Sequence, residues 1–417
     1  MRSAKLGSCK TKTKREAPMI AIMSGIGRRS LLAGGAATAG AVVLARPIAA
    51  AKPLKIGMVT SLSGPFTSLG GSMRAGMQLF LGEQGNTLAG RPVELIVEDD
   101  QAKPDEGVRK VRKLMGQDHV DILCGIISSA VALAIRDVVT EAHALTFISV
   151  GSADALARGA ASPLIFRPTK TNWMLGHTAG LWAFQNISKK GCITLGSDYA
   201  AGREYVGDFA AIYRQQGGQI RQQLWSPLGT PDFGPLLTTV AAGRPEFIYA
   251  FFAGSDAVRF LEQMREYRLS GTIKLIGPGA LFDQEDVVAV VKDAALGGLN
   301  TCNQSPTAPS SAKFSQVYRA ARGSLPGEMG TAGYVTGQTI KAAVERVQGD
   351  LNDKQKVKQE LLAKPVDTVF GPMIFDPRNN QAILDIYVNK VEKDATGTDV
   401  NEVIHIYKAV RDPGPST

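Results

Sequence analysis

LKIGMVTSLSGPFTSLGGSMRAGMQLFLGEQGNTLAGRPVELIVED, residues 54–99, runs from one apolar segment to another with a helical pattern between them. LKIGMVT lacks strict alternation, as expected of a strand covered on both faces. Met73, Met77 and Phe80 then recur at helical spacing, and VELIVED follows as a second strand. A strand, a helix and a strand in this order predict an α/β fold built on a parallel sheet.

Working outward, the alternation continues with Val108 to Met115, with basic residues between, DILCGII (121–127), a helix from Val131 to Ala142, ALTFISV (144–150) and, after a loop, the segment from Trp173 to Phe184. A second wound series begins at GCITLGS (191–197). It proceeds through a helix near Val206 to Tyr213, IRQQLWS, a helix near Phe233 to Val240, EFIYAFF (246–252), a helix from Ala257 to Tyr267, and TIKLIG. The remainder departs from this rhythm. GLNTC precedes helices near Lys313–Ala321 and Ala332–Val347, then come VDTVFGPMIFD and the pair ILDIYVNKV and VIHIYKAV. Helices followed by an antiparallel ribbon predict that the chain returns to finish both wound units. No solenoid-length repeat and no long Gly/Ser linker is present, so crossings between the units are expected to be short.

Upstream, residues 27–51 read GRRSLLAGGAATAGAVVLARPIAAA. The uncharged run from Leu31 to Leu44 is shorter than the roughly 20 residues of a membrane span, and Ala49-Ala50-Ala51 offers small-residue cleavage. Residues 1–51 are therefore read as a signal peptide, with Arg28-Arg29 resembling a twin-arginine signal, and the protein is expected in the periplasm. Met19 or Met23 are alternative initiators. The net charge of +9 belongs mostly to this leader, because nine of 47 Lys and Arg but only one of 38 Asp and Glu lie within it. The nearly neutral remainder gives no reason to expect nucleic acid. Cys124, Cys192 and Cys302 are an odd set, and the apolar runs around the first two favour buried thiols over a disulfide.

Signatures of covalent chemistry are missing. There is no G-x-S-x-G elbow, no P-loop lysine, no H-E-x-x-H and no G-x-G-x-x-G after the first strand. His119, His143, His177 and His405 are scattered without metal spacing, so neither metal nor cofactor is expected. Glu98-Asp99-Asp100, at a strand's exit, reads as a solvated edge.

Two strand-to-helix junctions remain. Ser128 and Ser129 follow DILCGII, and Gly151, Ser152 and Ala153 follow ALTFISV. Unpaired N–H groups at a helix start, with serine hydroxyls beside them, suit a carboxylate, and wound sheets bind ligands beyond their strands' carboxyl ends. The bland alternative makes Ser129 and Ser152 ordinary helix caps.

KIGMVTSLSGPFTSLGGSMRAGMQL (55–79) resembles the opening of the leucine/isoleucine/valine-binding proteins, the type I periplasmic solute-binding proteins of ABC importers. The likeness continues through VELIVEDDQAKPDEGVRKVRKLM, GIISSAVALA, FISVGSADAL, GSDYAAGREYVGDF, EFIYAFF and VDTVFGPMIFDPRNN, in the family's order and spacing. The resemblance implies two Rossmann-like wound parallel-sheet lobes joined by three crossings, a Venus-flytrap. We set lobe 1 at 52–170 plus 299–374, lobe 2 at 171–298 plus 375–410, and a tail at 411–417. It also implies that Ser129, Gly151 and Ser152 hold a ligand carboxylate.

The amino-acid binders of that family enclose an ammonium group with tyrosines and a glutamate, and here those positions are Leu69, Ala201, Ala253 and Gly279. Burying an ammonium without acceptors costs several kcal/mol, against about 8 kcal/mol for a micromolar complex. Tyr199, Asp198 or Asp283 would rebuild an ammonium site by another route. Phe66, Trp173, Phe252 and Phe282 stand near cleft-forming segments and suit an aromatic ring. The resulting expectation is a monomeric, non-enzymatic receptor that captures a small carboxylate, preferably an aromatic or other organic acid, and delivers it to an ABC permease in the inner membrane. The alternatives are a branched-chain amino acid or short amide as ligand, a sensor feeding a membrane receptor, and an exported hydrolase using Ser129 or Ser152 with His143.

Overall fold

The computed structural model describes residues 52–159 and 162–415, so the leader reading for residues 1–51 lies outside the described residues. Apolar runs become strands where predicted at β1 Leu54–Thr60, β3 Arg91–Asp99, β4 Ile122–Gly125 and β5 Thr146–Ile148, and two short strands that the sequence reading did not include, β2 Thr87–Leu88 and β6 Ile165–Phe166, complete the set. They form one sheet in the order β2-β3-β1-β4-β5-β6. β1 lies parallel between β3 and β4 and is buried at all but one position. Helices α1 Thr67–Glu83, α2 Pro104–Gly116 and α3 Ser129–Glu141 connect these strands.

The second series follows: α4 Asn172–Asn186, β7 Cys192–Ser197, α5 Ala200–Gln215, β8 Ile220–Ser226, α6 Gly234–Gly243, β9 Phe247–Phe251, α7 Ser255–Glu266, β10 Lys274–Pro278, the short α8 Ala289–Val291 and β11 Leu299–Cys302. Then come α9 Ala312–Arg322, α10 Glu328–Arg346, α11 Lys354–Ala363, β12 Val366–Thr368, β13 Gly371–Asp376, β14 Gln381–Lys393 and β15 Asp399–Val410. The second sheet runs β12-β13-β14-β11-β10-β9-β7-β8, with β15 on β14. The protein is thus two α/β lobes, each built on a mixed sheet with a run of parallel strands. Among the described residues, no helix is long and apolar enough to cross a membrane.

Three details depart from expectation. β11 is paired between β10 and β14, so it belongs with the second sheet, and the boundary set at 299 cuts that sheet. The cause is that β11 continues the parallel pairing of β10 before the chain turns back. α10 starts at Glu328, four residues before the expected Ala332. The stretch GEMGTAG is glycine-rich, which disfavours a helix by about 1 kcal/mol per glycine. Packing explains why it is helical all the same, since a Cβ on Gly333 would lie 2.0 Å from the Met73 carbonyl oxygen of α1. Finally, Asp99 and Asp100 are no solvated edge. Asp100 is buried and accepts from the Ser61 hydroxyl at 2.6 Å, while Asp99 accepts from the Leu62 N–H at 2.8 Å, so the two hold the loop that leaves β1.

β14 serves two neighbourhoods. Its first residues pair with β13, from Ile374↔Ile383 to Asp376↔Gln381, and Gln381 also bridges Arg167. Its later residues pair with β11, and its pairing with β15 shifts register between Leu384 and Ile386 and again between Val388 and Asn389. Cys124, Cys192 and Cys302 are free and buried.

Candidate functional site

The site begins in the turn after β4. Gly125 and Ile126 take φ of 98° and 64°, which for a β-branched residue is rare backbone costing about 1–3 kcal/mol. The Ile126 N–H, bonded to the Val59 carbonyl at 2.6 Å, pins the turn to β1. Ile127, Ser128 and Ser129 are thereby carried past the carboxyl end of β4, where α3 starts. Ser128 occupies the N-cap position without making a side-chain cap bond, and its hydroxyl is buried with no partner. The Asn172 amide donates to the Ser129 Oγ at 3.3 Å and to Glu204 Oε2 at 2.6 Å, which leaves the Ser129 proton free to donate.

Ser129 does not act alone. Two residues before Asn172, Lys170 is fully buried, and its ammonium bonds Glu328 Oε1 at the start of α10. Burial pushes the Lys170 ammonium down to about 8, since desolvation disfavours the charged form. Thr171 between them is extended (φ −95°, ψ 165°), so Lys170 and Asn172 point to the same side with Cα atoms roughly 6–7 Å apart.

Ser129, Lys170, Asn172 and Glu328 line one cavity of about 30 Å³ between the lobes. Its remaining wall is apolar and aromatic. Tyr205 and Phe251 stack with centroids 4.5 Å apart, and Tyr199 stands 6.1 Å from Phe251 and 6.2 Å from Phe66. Of the residues singled out from sequence, Ser129, Phe66, Leu69, Tyr199, Ala201 and Ala253 line this cavity.

The others are placed elsewhere. Gly151 donates its N–H to the Ile126 carbonyl at 2.9 Å, and the Ser152 hydroxyl donates to the Val150 carbonyl, so both support the wall from behind while Val150 lines it. The Trp173 ring stacks on His177 at 4.2 Å, and its backbone N–H donates to Asp154 Oδ1. Phe252 packs against Phe233 and Phe260 in the second lobe's core, which also contains Phe282. On β9 successive side chains face opposite sides, so Phe251 rather than Phe252 meets the cavity. Asp198 is exposed and paired with Arg203. Asp283 is saturated by the N–H groups of Glu285, Asp286 and Glu328. Neither supplies an ammonium acceptor. Gly279 sits behind Ala280, where a Cβ would lie 2.6 Å from Cys302 Sγ and 2.8 Å from Glu328 Oε2.

Sequence reasoning missed Ile127, Val150, Lys170, Asn172, Tyr205, Phe251, Ala280, Glu328 and Met329. At the rim, a second cluster spans the lobes. The Asp154 N–H bonds Glu204 Oε2 at 3.1 Å. Burial, with Asp154 beside them, raises Glu204 to about 7 and Asp208 to about 9. On another side, Ser72 of α1 donates to Asp286 at 3.1 Å. Among the described residues no group of His, Cys, Asp and Glu is arranged to hold a metal.

Comparison with known proteins adds three findings. Residues 53–397 match the family described as "Periplasmic binding protein". Leu/Ile/Val-binding protein homolog 6 of Brucella melitensis is 27% identical over 378 residues, covering 89% of this chain and 96% of the relative. Among solved structures, a solute-binding protein of an ABC transporter from Rhodopseudomonas palustris, in complex with 3,4-dihydroxybenzoic acid, is 29% identical with a TM-score of 0.80. A second from R. palustris, in complex with benzoate, is 25% identical with a TM-score of 0.81. Each alignment covers 87% of this chain and 99% of the other.

Proposed function

Because the chain belongs to the periplasmic binding proteins, matched over residues 53–397, we propose that it captures a small aromatic carboxylate between its lobes and delivers it to an ABC permease. It is a solute-binding protein of an ABC transporter, and its family and structural neighbours are solute-binding proteins rather than enzymes. The one observation that carries the ligand class is the composition of the cavity: a buried lysine and a free serine proton, an aromatic wall, and a lone carboxylate already bonded to that lysine.

In this reading the carboxylate sits against the Ser129 hydroxyl and the first turn of α3, with the positive Lys170 nearby. Charge-assisted hydrogen bonds contribute about 1.5–3 kcal/mol each, and enclosing a ring between Tyr199, Tyr205, Phe251 and Phe66 adds about 25 cal/mol per Å² of apolar surface. An α-ammonium group would stand beside the Lys170 cation instead. The cavity of about 30 Å³ is smaller than such a ligand, so entry requires the lobes to separate and capture requires them to close. The hydrolase alternative loses its premise at Ser129, whose polar neighbour is Asn172 rather than a histidine.

Calorimetric titration with benzoate, hydroxybenzoates and leucine tests the proposal. Aromatic acids are expected to bind at micromolar concentration or below and leucine not at all. Tight leucine binding with no response to the acids would overturn it in favour of branched-chain amino acid transport, which the Leu/Ile/Val-binding relatives represent.

A further inference from the structure

Glu328 opens α10 and is 3% exposed, with its backbone N–H fixed by Asp283 Oδ2 at 2.6 Å. One of its carboxylate oxygens, Oε1, bonds Lys170. The other, Oε2, is buried with no hydrogen-bond partner, in a side chain that lines the ligand cavity. A buried carboxylate oxygen without a donor costs about 1–3 kcal/mol or more, so its persistence at a ligand cavity points to a donor that arrives with the ligand.

We propose that Glu328 determines specificity by accepting a hydrogen bond from a hydroxyl on the ligand's ring, so that the ligand class is a hydroxylated aromatic carboxylate. The inference rests on the aromatic-acid reading above and narrows it. Three observations favour a hydroxyl over an ammonium. Lys170 stands directly on Glu328, and a neutral O–H meets that cation without repulsion whereas an ammonium does not. An ammonium brings three donors to a carboxylate whose other oxygen is already taken by a cation. The arrangement also suits a ring. Glu328 is bonded by Lys170 and Ser129 by Asn172, two different residues of one short segment, so the two anchors are distinct. A carboxylate at Ser129 and a hydroxyl at Glu328 therefore fall at separate points on a planar ligand. A ring without the hydroxyl leaves Oε2 unpaired, and sites built to bond a hydroxyl reject analogues that lack one.

The test is a titration of the wild-type protein with benzoate, 3-hydroxybenzoate, 4-hydroxybenzoate and 4-methylbenzoate, repeated on Glu328→Gln, which keeps the shape but replaces one oxygen by a donor. At least one hydroxybenzoate is expected to bind about tenfold or more tighter than both benzoate and the methyl control. Glu328→Gln is expected to shrink that ratio towards one. Equal affinity for benzoate and the hydroxybenzoates overturns the inference and leaves the aromatic-acid reading standing. So does a methyl control as tight as the best hydroxybenzoate, which would show simple filling of space. A ratio unchanged in Glu328→Gln overturns the role of Glu328. Binding of leucine with none of the acids overturns both readings. Where Glu328→Gln does not fold, Glu328→Asp, which draws the carboxylate back by one methylene, is expected to shrink the ratio likewise, and an unchanged ratio there overturns the role of Glu328.

Discussion

Lys170 is the residue on which the site's charge turns. Its ammonium is buried, bonded to Glu328, and held down to about 8 by desolvation. The charged form attracts a carboxylate, so its contribution to ligand affinity is full below that value and lost as pH rises through it. Dissociation constants measured from pH 6 to pH 10 are expected to weaken above about pH 8, and Lys170→Met is expected to remove this dependence while weakening binding at pH 7 about tenfold or more. Neither partner of the pair was legible in sequence. Lys170 lies in a short polar stretch between series, where a lysine usually reads as a solvated loop charge, and Glu328 opens a helix that glycines disguise. Ser129 was legible because its position depends on a strand and the helix directly after it, both local patterns. The Lys170–Glu328 pair joins residues 158 apart, a relation that no local pattern encodes.

At the scale of elements, most strands announce themselves because a strand covered on both faces is an apolar run, as β1, β4, β7 and β9 are, whereas β11, LNTC, is central to its sheet without being one. What periodicity does not carry is where an element stops and what its rim meets. α5 illustrates this. Its sequence reads as a helix near Val206 to Tyr213, yet Glu204 and Asp208 on it face Asp154 of the other lobe, with Arg158 close by. Burial and the neighbouring Asp154 raise both carboxyls, so the folded protein holds protons that the unfolded chain releases above the ordinary carboxylate range. Stability contributed by these groups is therefore present at acid pH and declines as pH rises towards about 9. Asp208→Asn removes one of these titrations. Thermal melts between pH 5 and pH 9 are expected to show a flatter pH dependence for the variant and a higher melting temperature than wild type at pH 8.

For the whole molecule, two lobes and a ligand cavity between them were foreseeable from the order of elements and from resemblance, whereas the contacts that join the lobes were not. Ser72 donating to Asp286 is one such contact. It exists only while the lobes meet, so Ser72→Ala is expected to weaken ligand binding several-fold, about 1 kcal/mol for one hydrogen bond, while leaving each lobe's packing intact. Titration together with a melt of the ligand-free protein separates the two effects. β14 also joins two neighbourhoods of the molecule. One continuous strand pairs first with β13 and then with β11, and its register slips at Leu384/Ile386 and Val388/Asn389. Strands resist stretching but yield to torsion, and bulged positions twist more than their neighbours. If one lobe turns against the other, β14 is a strand that has to be wrung about its own length, and its two register shifts are where that torsion is easiest to store.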